Sequence, residues 1–596
     1  MTRAVRWYLA LATASLTLLV ACDPPPAPPP ADATLQSLTL STGALDQTFD
    51  PAVSAYTAAA TFLTTSIRVI ATATDAAASV EVNGAPVASG AASEAIPLDE
   101  GVNMINVEVT AKDNTTSKVY QVILTRDSAS QFAQQAYVKA SNPQQDDWFG
   151  YSLALDGDTL AVGALQEDSN GTGVNTGNQA DNSAADSGAV YVFVRSGDTW
   201  TQQAYIKASN AGAGDRFGYS VALSGDTLAV GAIFEDSDAT GVNGDQLDDD
   251  GVNSGAVYVF VRDGATWTQQ AYIKASNTDS GDWFGSSVAL SGDTLAVGAT
   301  QEDSGATGVD QNQTIETAPD SGAVYVFVRE GDVWTQQAYV KASNTDSFDA
   351  FGTSVALDGD TLAVSAHREA SNAKGINPGG EADNSATNSG AVYVFSRSGG
   401  SWSQQAFVKA SNSEAEDQFG VSVALSGNTL VVGAPYEDSG ATGVNGNQTF
   451  DNRSNSGAVY VFVRNATTWT QEAYLKASNP DVTDLFGYSV AAAGDLVVVG
   501  APYEASNADG VGGNQDDNSL TLSGAAYVFA RTDAAWTQVG YVKASNSESS
   551  DLFTYVAVSG DTVAIGAYGE ASNAGGIDGN QDDNSIIFSG AVYVFR

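Results

Sequence analysis

The 596-residue sequence predicts an all-β protein: a small β-sandwich, then a seven-bladed β-propeller closed by an N-terminal strand. Three observations predict it. A Phe-Gly step or its equivalent recurs at Phe149, Phe217, Phe284, Phe351, Phe419, Phe486 and Phe553, at intervals of 67 or 68 residues. Each unit carries four apolar or alternating runs separated by turn residues, and long helical patterns are missing. The last unit has only three strands, and its missing fourth stands ahead of the first unit.

The second unit shows the order. Phe217 to Leu223 is followed by the turn Ser224-Gly225-Asp226 and by Thr227 to Ala232. An acidic loop of about twenty residues comes next, then Ala256 to Arg262, a short turn, and Trp267 to Lys274. Runs such as Val257 to Val261 are apolar on both faces, so each sheet needs a neighbour on either side, and radial packing of like sheets supplies them. The seventh unit stops at Ala591 to Arg596, while Phe132 to Lys139 repeats the fourth-strand pattern of Trp200 to Lys207. A chain permuted in this way closes a ring.

Residues 34–128 read as a second domain. Leu35 to Leu40 alternates, Asn83-Gly84 marks a hairpin, and Asn106 to Thr110 and Val119 to Thr125 alternate again. Ahead of it, Arg3 and Arg6 with the apolar run Leu9 to Val20 predict a signal peptide over 1–21, too short to span a membrane. Leu19-Val20-Ala21-Cys22 resembles a lipobox, with Cys22 the lipidated residue, and 22–33 is then anchor plus proline-rich spacer. The expectation is a lipid-anchored protein of a bacterial cell envelope, at the outer membrane or cell surface, touching the membrane only through its anchor.

Twenty-four basic against 70 acidic side chains give a net charge of −46, which disfavours nucleic acid as a partner. One cysteine excludes an intrachain disulfide, and one histidine, His367, excludes a His-rich zinc site. With Cys22 assigned to lipid, no Ser-His or Cys-His scheme has a plausible triad, although a pair of carboxylates acting on a glycoside stays open.

The repeated Phe-Gly, with Val432-Gly433-Ala434-Pro435 and Val499-Gly500-Ala501-Pro502, resembles the FG-GAP repeats of integrin α-like propellers over residues 132–596. Ser365-Ala366 departs from that pattern in the fourth unit. Leu38 to Leu45, Phe49-Asp50-Pro51 with Tyr56, Gly101-Val102-Asn103 and Tyr120 to Arg126 resemble the bacterial cadherin-like sandwich. The first resemblance implies calcium in a loop between the first two strands of a blade, but Ser-Gly-Asp-Thr is too short for that. The oxygen-rich residues lie instead in the long second loop.

Candidate calcium ligands there are Glu235, Asp236, Asp245, Asp248, Glu437, Asp438, Asp451, Asp516, Asp517, Asp578, Asp582 and Asp583, with the fourth unit the poorest site. The alternative is loops ordered by Asx-turns alone. Residues repeated in all seven units read as structural. Asp147 and its equivalents order the turn into the first strand, and Lys139 and its equivalents sit on an outer strand as charges against edge association. Function should break the symmetry. Trp148 and Trp283 are candidates to stack on a ligand, against simple packing on a loop, and His367-Arg368 reads as a solvated pair. The expected function is binding or adhesion, a propeller face holding an extracellular protein or glycan, without catalysis. Alternatives are a calcium-dependent glycan-active enzyme and a structural envelope protein.

Overall fold

The computed structural model describes residues 31–596, and the signal-peptide, Cys22 and most of the spacer readings fall outside them. Among the described residues every regular element is a strand, apart from one 3-10 turn at Ala129–Gln131. The protein is all-β, with a small N-terminal β-sandwich and repeated four-stranded sheets.

In the sandwich, strands Gly101–Thr110 and Ser117–Arg126 form the central hairpin of a five-stranded sheet. Alternation puts Ile105, Val107, Val109, Tyr120, Val122 and Leu124 on one face, packed with Leu35, Leu38, Val69 and Ala71 of a two-stranded sheet. The predicted hairpin at Asn83-Gly84 is present, with φ of 49° and 82° as a two-residue turn needs.

Residues 134–595 form seven four-stranded antiparallel sheets. In the second, Phe217–Ser224, Thr227–Ala232, Ala256–Asp263 and Thr266–Ile273 pair in sequence order. The two middle strands are buried along most of their length because apolar residues occupy both faces. The last sheet takes Phe553–Ser559, Thr562–Ala567 and Ala591–Phe595 from one end of the repeat region and Gln134–Val138 from the other. Tyr137 lies opposite Tyr593 in that pairing. Phe149–Asp156 of the first sheet also packs on Phe553–Ser559 and Thr562–Ala567 of the last.

Neighbouring sheets approach through glycine. A Cβ on Gly163 would stand 2.2 Å from the carbonyl oxygen of Gly218 in the next sheet, a distance that no side chain tolerates. The Ser152 hydroxyl donates to that same carbonyl at 2.7 Å, and Ser220 does likewise to Gly285. In the fourth sheet, where Ser365 replaces the glycine, its hydroxyl bonds back to Ser354 of its own sheet.

Each sheet has a hairpin end and a loop end. The tight turns lie at the hairpin end, while the long second loop and the crossing to the next sheet lie at the other. The sandwich docks at the hairpin end of the sixth and seventh sheets. Phe62 packs on Phe132, which packs on Phe595, and Thr65 Oγ1 donates to the Arg531 carbonyl.

Candidate binding face

At the loop end the seven lysines are not edge charges; this corrects the sequence reading. Lys139, Lys207, Lys274, Lys341, Lys409, Lys476 and Lys543 are all wholly buried. Each ammonium bonds a buried glutamate, as in Lys274 to Glu235 at 2.8 Å and Lys476 to Glu437 at 2.9 Å. Burial lowers the lysine pKa, and the glutamate charge opposes that shift. Glu235 also accepts from the Tyr272 hydroxyl at 2.8 Å and from Asn210 Nδ2 at 2.9 Å, so three chain segments meet on one carboxylate. The outer edge is guarded instead by the long loop, which bridges back to the fourth strand at Val174 with Ile206 and Val242 with Ile273.

Of the candidate calcium ligands, Glu235 and Glu437 have oxygens that accept from the lysine, tyrosine and asparagine. Most other candidates cap backbone N–H groups. Asp236 accepts from Asn253, Asp438 from Asn455, Asp245 from Leu247, Asp248 from Asp250, Asp517 from Ser519 and Asp583 from Ser585. Asp578 accepts the Tyr137 N–H at 3.0 Å, which pins the strand supplied from the far end of the repeats. The N–H groups of Asp516 and Asp582 donate to Asn514 and Asn580, and Asp451 stands exposed. Among the described residues no three acidic or histidine side chains converge as a cation site would require.

The repeated aspartates do order the turn into the first strand. Asp147 Oδ2 accepts the Gln144 N–H at 2.8 Å. Burial pushes the carboxyls of Asp147, Asp282, Asp417 and Asp551 up to about 8, and those of Asp215, Asp349 and Asp484 to about 7, against the backbone bond that lowers them.

The residue that follows each of these aspartates holds a left-handed backbone. Trp148, Arg216, Trp283, Ala350, Gln418, Leu485 and Leu552 have φ between 51° and 59°, although none is glycine. The second loop enforces this, as when Trp148 N–H bonds the Phe588 carbonyl at 3.1 Å and Ala350 N–H the Asp320 carbonyl at 3.1 Å. The backbone is fixed here while the side chain varies; Trp148, Arg216, Trp283 and Gln418 are partly exposed, whereas Ala350, Leu485 and Leu552 are buried.

The variation is one-sided. From the sixth, seventh, first and second sheets come Tyr488, Tyr555, Tyr151 and Tyr219, joined by Trp148 and Tyr568. Tyr151 lies 4.9 Å from Tyr555 and 5.6 Å from Tyr219, and Trp148 lies 5.4 Å from Tyr568, ring centre to ring centre. Burial drives the Tyr151 and Tyr555 phenols well above their ordinary pKa, so they stay neutral. The third, fourth and fifth sheets present Ser286, Thr353 and Val421 instead. The resulting central cavity of about 360 Å³ is lined by the first strands of all seven sheets. Tyr219 also borders a second cavity of about 190 Å³ between the third and fourth sheets, with Trp283, Gln301, Asp320, His367 and Arg368.

Trp148 and Trp283 are therefore both half-buried and both packed on aromatic neighbours, Trp283 against Phe234 at 5.5 Å. His367 is half-buried with Nδ1 2.9 Å from Thr353 Oγ1, while Arg368 is exposed. Desolvation, aided by the Arg368 charge, brings the His367 pKa down to about 4, so the ring is neutral. The tyrosine arc was missed in the sequence. Its signal was the residue two after the Phe, tyrosine in the first, second, sixth and seventh units and smaller in the third to fifth.

The profile of a cadherin-like beta sandwich domain matches residues 35–127. The FG-GAP repeat profile matches 132–193, 200–260, 267–327, 334–395, 402–462 and 469–529. The chain belongs to the FG-GAP repeat family. Each matched FG-GAP unit starts on the outer strand of one sheet and runs through three strands of the next, so the family unit straddles the sheet boundary. Over 103 residues the chain is 36% identical to a protein of Evansella cellulosilytica named "Putative membrane protein", covering 17% of this chain and 15% of that protein. Among the described residues no helix is long and apolar enough to cross a membrane. Among solved structures, an acylaminoacyl peptidase in complex with Z-Gly-Gly-Phe-chloromethyl ketone aligns at 10% identity and a TM-score of 0.31, over 90% of this chain and 58% of its own. A DUF4784 family protein from Bacteroides caccae aligns at 9% identity and 0.21, over 73% and 95%. Both scores are too low to inform fold or chemistry.

Proposed function

We propose that this FG-GAP protein is a lipid-anchored, surface-displayed binding or adhesion protein whose seven sheets close into a propeller with its loop-end face turned to a protein or glycan. FG-GAP repeats and a cadherin-like domain fit a binding or adhesion role. Closure is supported by the strand Gln134–Val138 in the last sheet and by the packing of the first sheet on the seventh. The observation that carries the reading is the one-sided arc of Tyr151, Tyr219, Tyr488 and Tyr555 around a central cavity. Partly exposed aromatic rings are groups that anchor protein and glycan ligands. Cys22 supplies the membrane attachment in this proposal.

The test is retention of the purified full chain on glycan arrays and on envelope protein extracts, with Tyr151→Ser and Tyr488→Ser as variants. Both place the third sheet's own residue, Ser286, at the matching position, so folding is preserved. Loss of retention in these variants supports the face. Retention unchanged by either places binding elsewhere. Cys22→Ser should move the protein from the detergent phase to the aqueous phase, and an unaltered partition would remove the lipid anchor.

A further inference from the structure

The cavity between the third and fourth sheets exists because the repeats differ there. At the strained position before the Phe, Ala350 is the smallest of the seven occupants, and Trp283 of the preceding sheet is among the largest. The space left over is about 190 Å³, below the range of drug-sized sites and suited to one ring. Trp283 forms an aromatic wall whose orientation is held from behind. Phe234 meets it edge-on at 5.5 Å and 70°, and the Arg216 guanidinium lies 4.8 Å over Phe234.

Apart from Tyr219 and Ala350, the remaining walls are polar. Thr353, His367, Gln301, Asp320 and Arg368 line the cavity. His367, kept neutral by burial, offers a ring nitrogen rather than a charge. The basic residues single out this place. Of those in residues 132–596, seven lysines are buried on glutamates, and Arg195, Arg262, Arg329, Arg397, Arg464 and Arg531 stack on hairpin tryptophans, with Arg596 on Asp561. Four are left: Arg216, Arg368, Lys374 and Arg453. Arg453 pairs with Asp481. Arg216 and Arg368 stand on either side of Trp283, and among the described residues neither forms an ion pair.

We propose that this cavity is a subsite for a single carboxylate-bearing sugar ring, a hexuronate unit of an acidic glycan; the assignment rests on the binding reading above. The apolar face of the ring lies on Trp283, as sugar C–H groups do on aromatic rings. Arg368 takes the carboxylate in a planar two-point contact, and Gln301, Thr353 and Asp320 meet the hydroxyls. Asp320 is a carboxylate in the same wall. It accepts from hydroxyls, and Arg368 opposes its charge. The net charge of −46 is no obstacle at this range, since exposed charges are screened beyond roughly 8 Å at physiological ionic strength.

The test is titration of the full chain with methyl β-glucuronide and methyl β-glucoside, read by saturation-transfer NMR and calorimetry. The variants are Trp283→Ala and Arg368→Gln. Each installs a residue that a neighbouring sheet already carries at the matching position, Ala350 or Gln301, so both should fold. The expected result is that glucuronide binds about tenfold tighter than glucoside, that Arg368→Gln erases the preference, and that Trp283→Ala weakens both about tenfold. No saturable glucuronide binding up to roughly 10 mM, equal binding of glucoside, or binding unchanged in both variants would overturn it. Tyr151 and Tyr488 do not line this cavity, so if the glucuronide test fails while their variants lose retention on arrays, this subsite falls and the wider face stands.

Discussion

The Lys139 ammonium lies 2.6 Å from the Glu570 carboxylate, a partner 431 residues later in the chain. In the other six repeats the same contact spans only 39 or 40 residues. A local clasp repeated in every unit thus becomes, once, the tie between the two ends of the repeat region.

That tie makes a stability prediction. Lys139→Met should cost about 3–5 kcal/mol, because Glu570 is left as an uncompensated buried charge. Adding Glu570→Leu should recover much of the loss, since an apolar pair avoids the desolvation penalty. Urea denaturation of the two variants checks it, and equal stability of single and double mutants would contradict it. Deleting residues 132–141 should lower the melting temperature more than either change, as it strips the outer strand as well.

The seven buried aspartates predict a pH profile. Their folded pKa values, about 7 to 8, stand above the roughly 3.9 of an unfolded aspartate. Between these limits the folded state binds more protons than the unfolded one, so stability falls as pH rises. The contribution is complete below about pH 4 and is lost through pH 7 to 8. Melting temperature should therefore decline from pH 5.5 to 8.5, and Asp282→Asn should flatten the decline. A profile rising over that range would show these carboxyls ionised when folded.

Calcium gives a third test. Glu235 and Glu437 are held by lysines and the neighbouring aspartates cap N–H groups, hydrogen bonds that can order the loops by themselves. Chelator should shift the melting temperature by no more than about 2 °C. A large loss in EDTA, restored by calcium and not by magnesium, would show that Asp516, Asp517, Asp582 and Asp583 rearrange around the ion.

A small effect is expected at the hairpin end. In the first four sheets and the sixth, the rim arginine pairs with an aspartate, as Arg329 does with Asp293 at 2.6 Å. In the fifth, Arg464 meets Asn428 at 3.0 Å. Asn428→Asp should stabilise by less than about 1 kcal/mol, because such aspartates are mostly solvent-exposed. A gain that survives 1 M salt would argue against a screened surface pair.

The strands and their order were legible because period-two alternation and turn residues are local signals. The Lys–Glu clasps were not. Lys207 closes an outer strand that is half polar and, taken alone, reads as a surface charge, while its partner Glu167 sits in a loop crowded with other acids. Only the joint recurrence of a Lys and a Glu at fixed spacing in every repeat pointed to them. Trp283 and His367 stood out as exceptions in the sequence, yet their meeting depended on Ala350 being small, which is a matter of packing between sheets. For the loop acids, composition shows how many oxygens are present and not which N–H groups they hold.

The outer strand Gln134–Val138 also sets a load path. The sandwich sits at the hairpin end, where this strand begins, and the candidate binding face lies at the loop end, where it finishes. Tension between a stalk below and a captured ligand above would run along the strand axis. Its hydrogen bonds to Ala591–Phe595 would then be sheared together rather than unzipped in turn, and Lys139, locked in Glu570 just past the far end, would act as the barb that keeps the strand from sliding out.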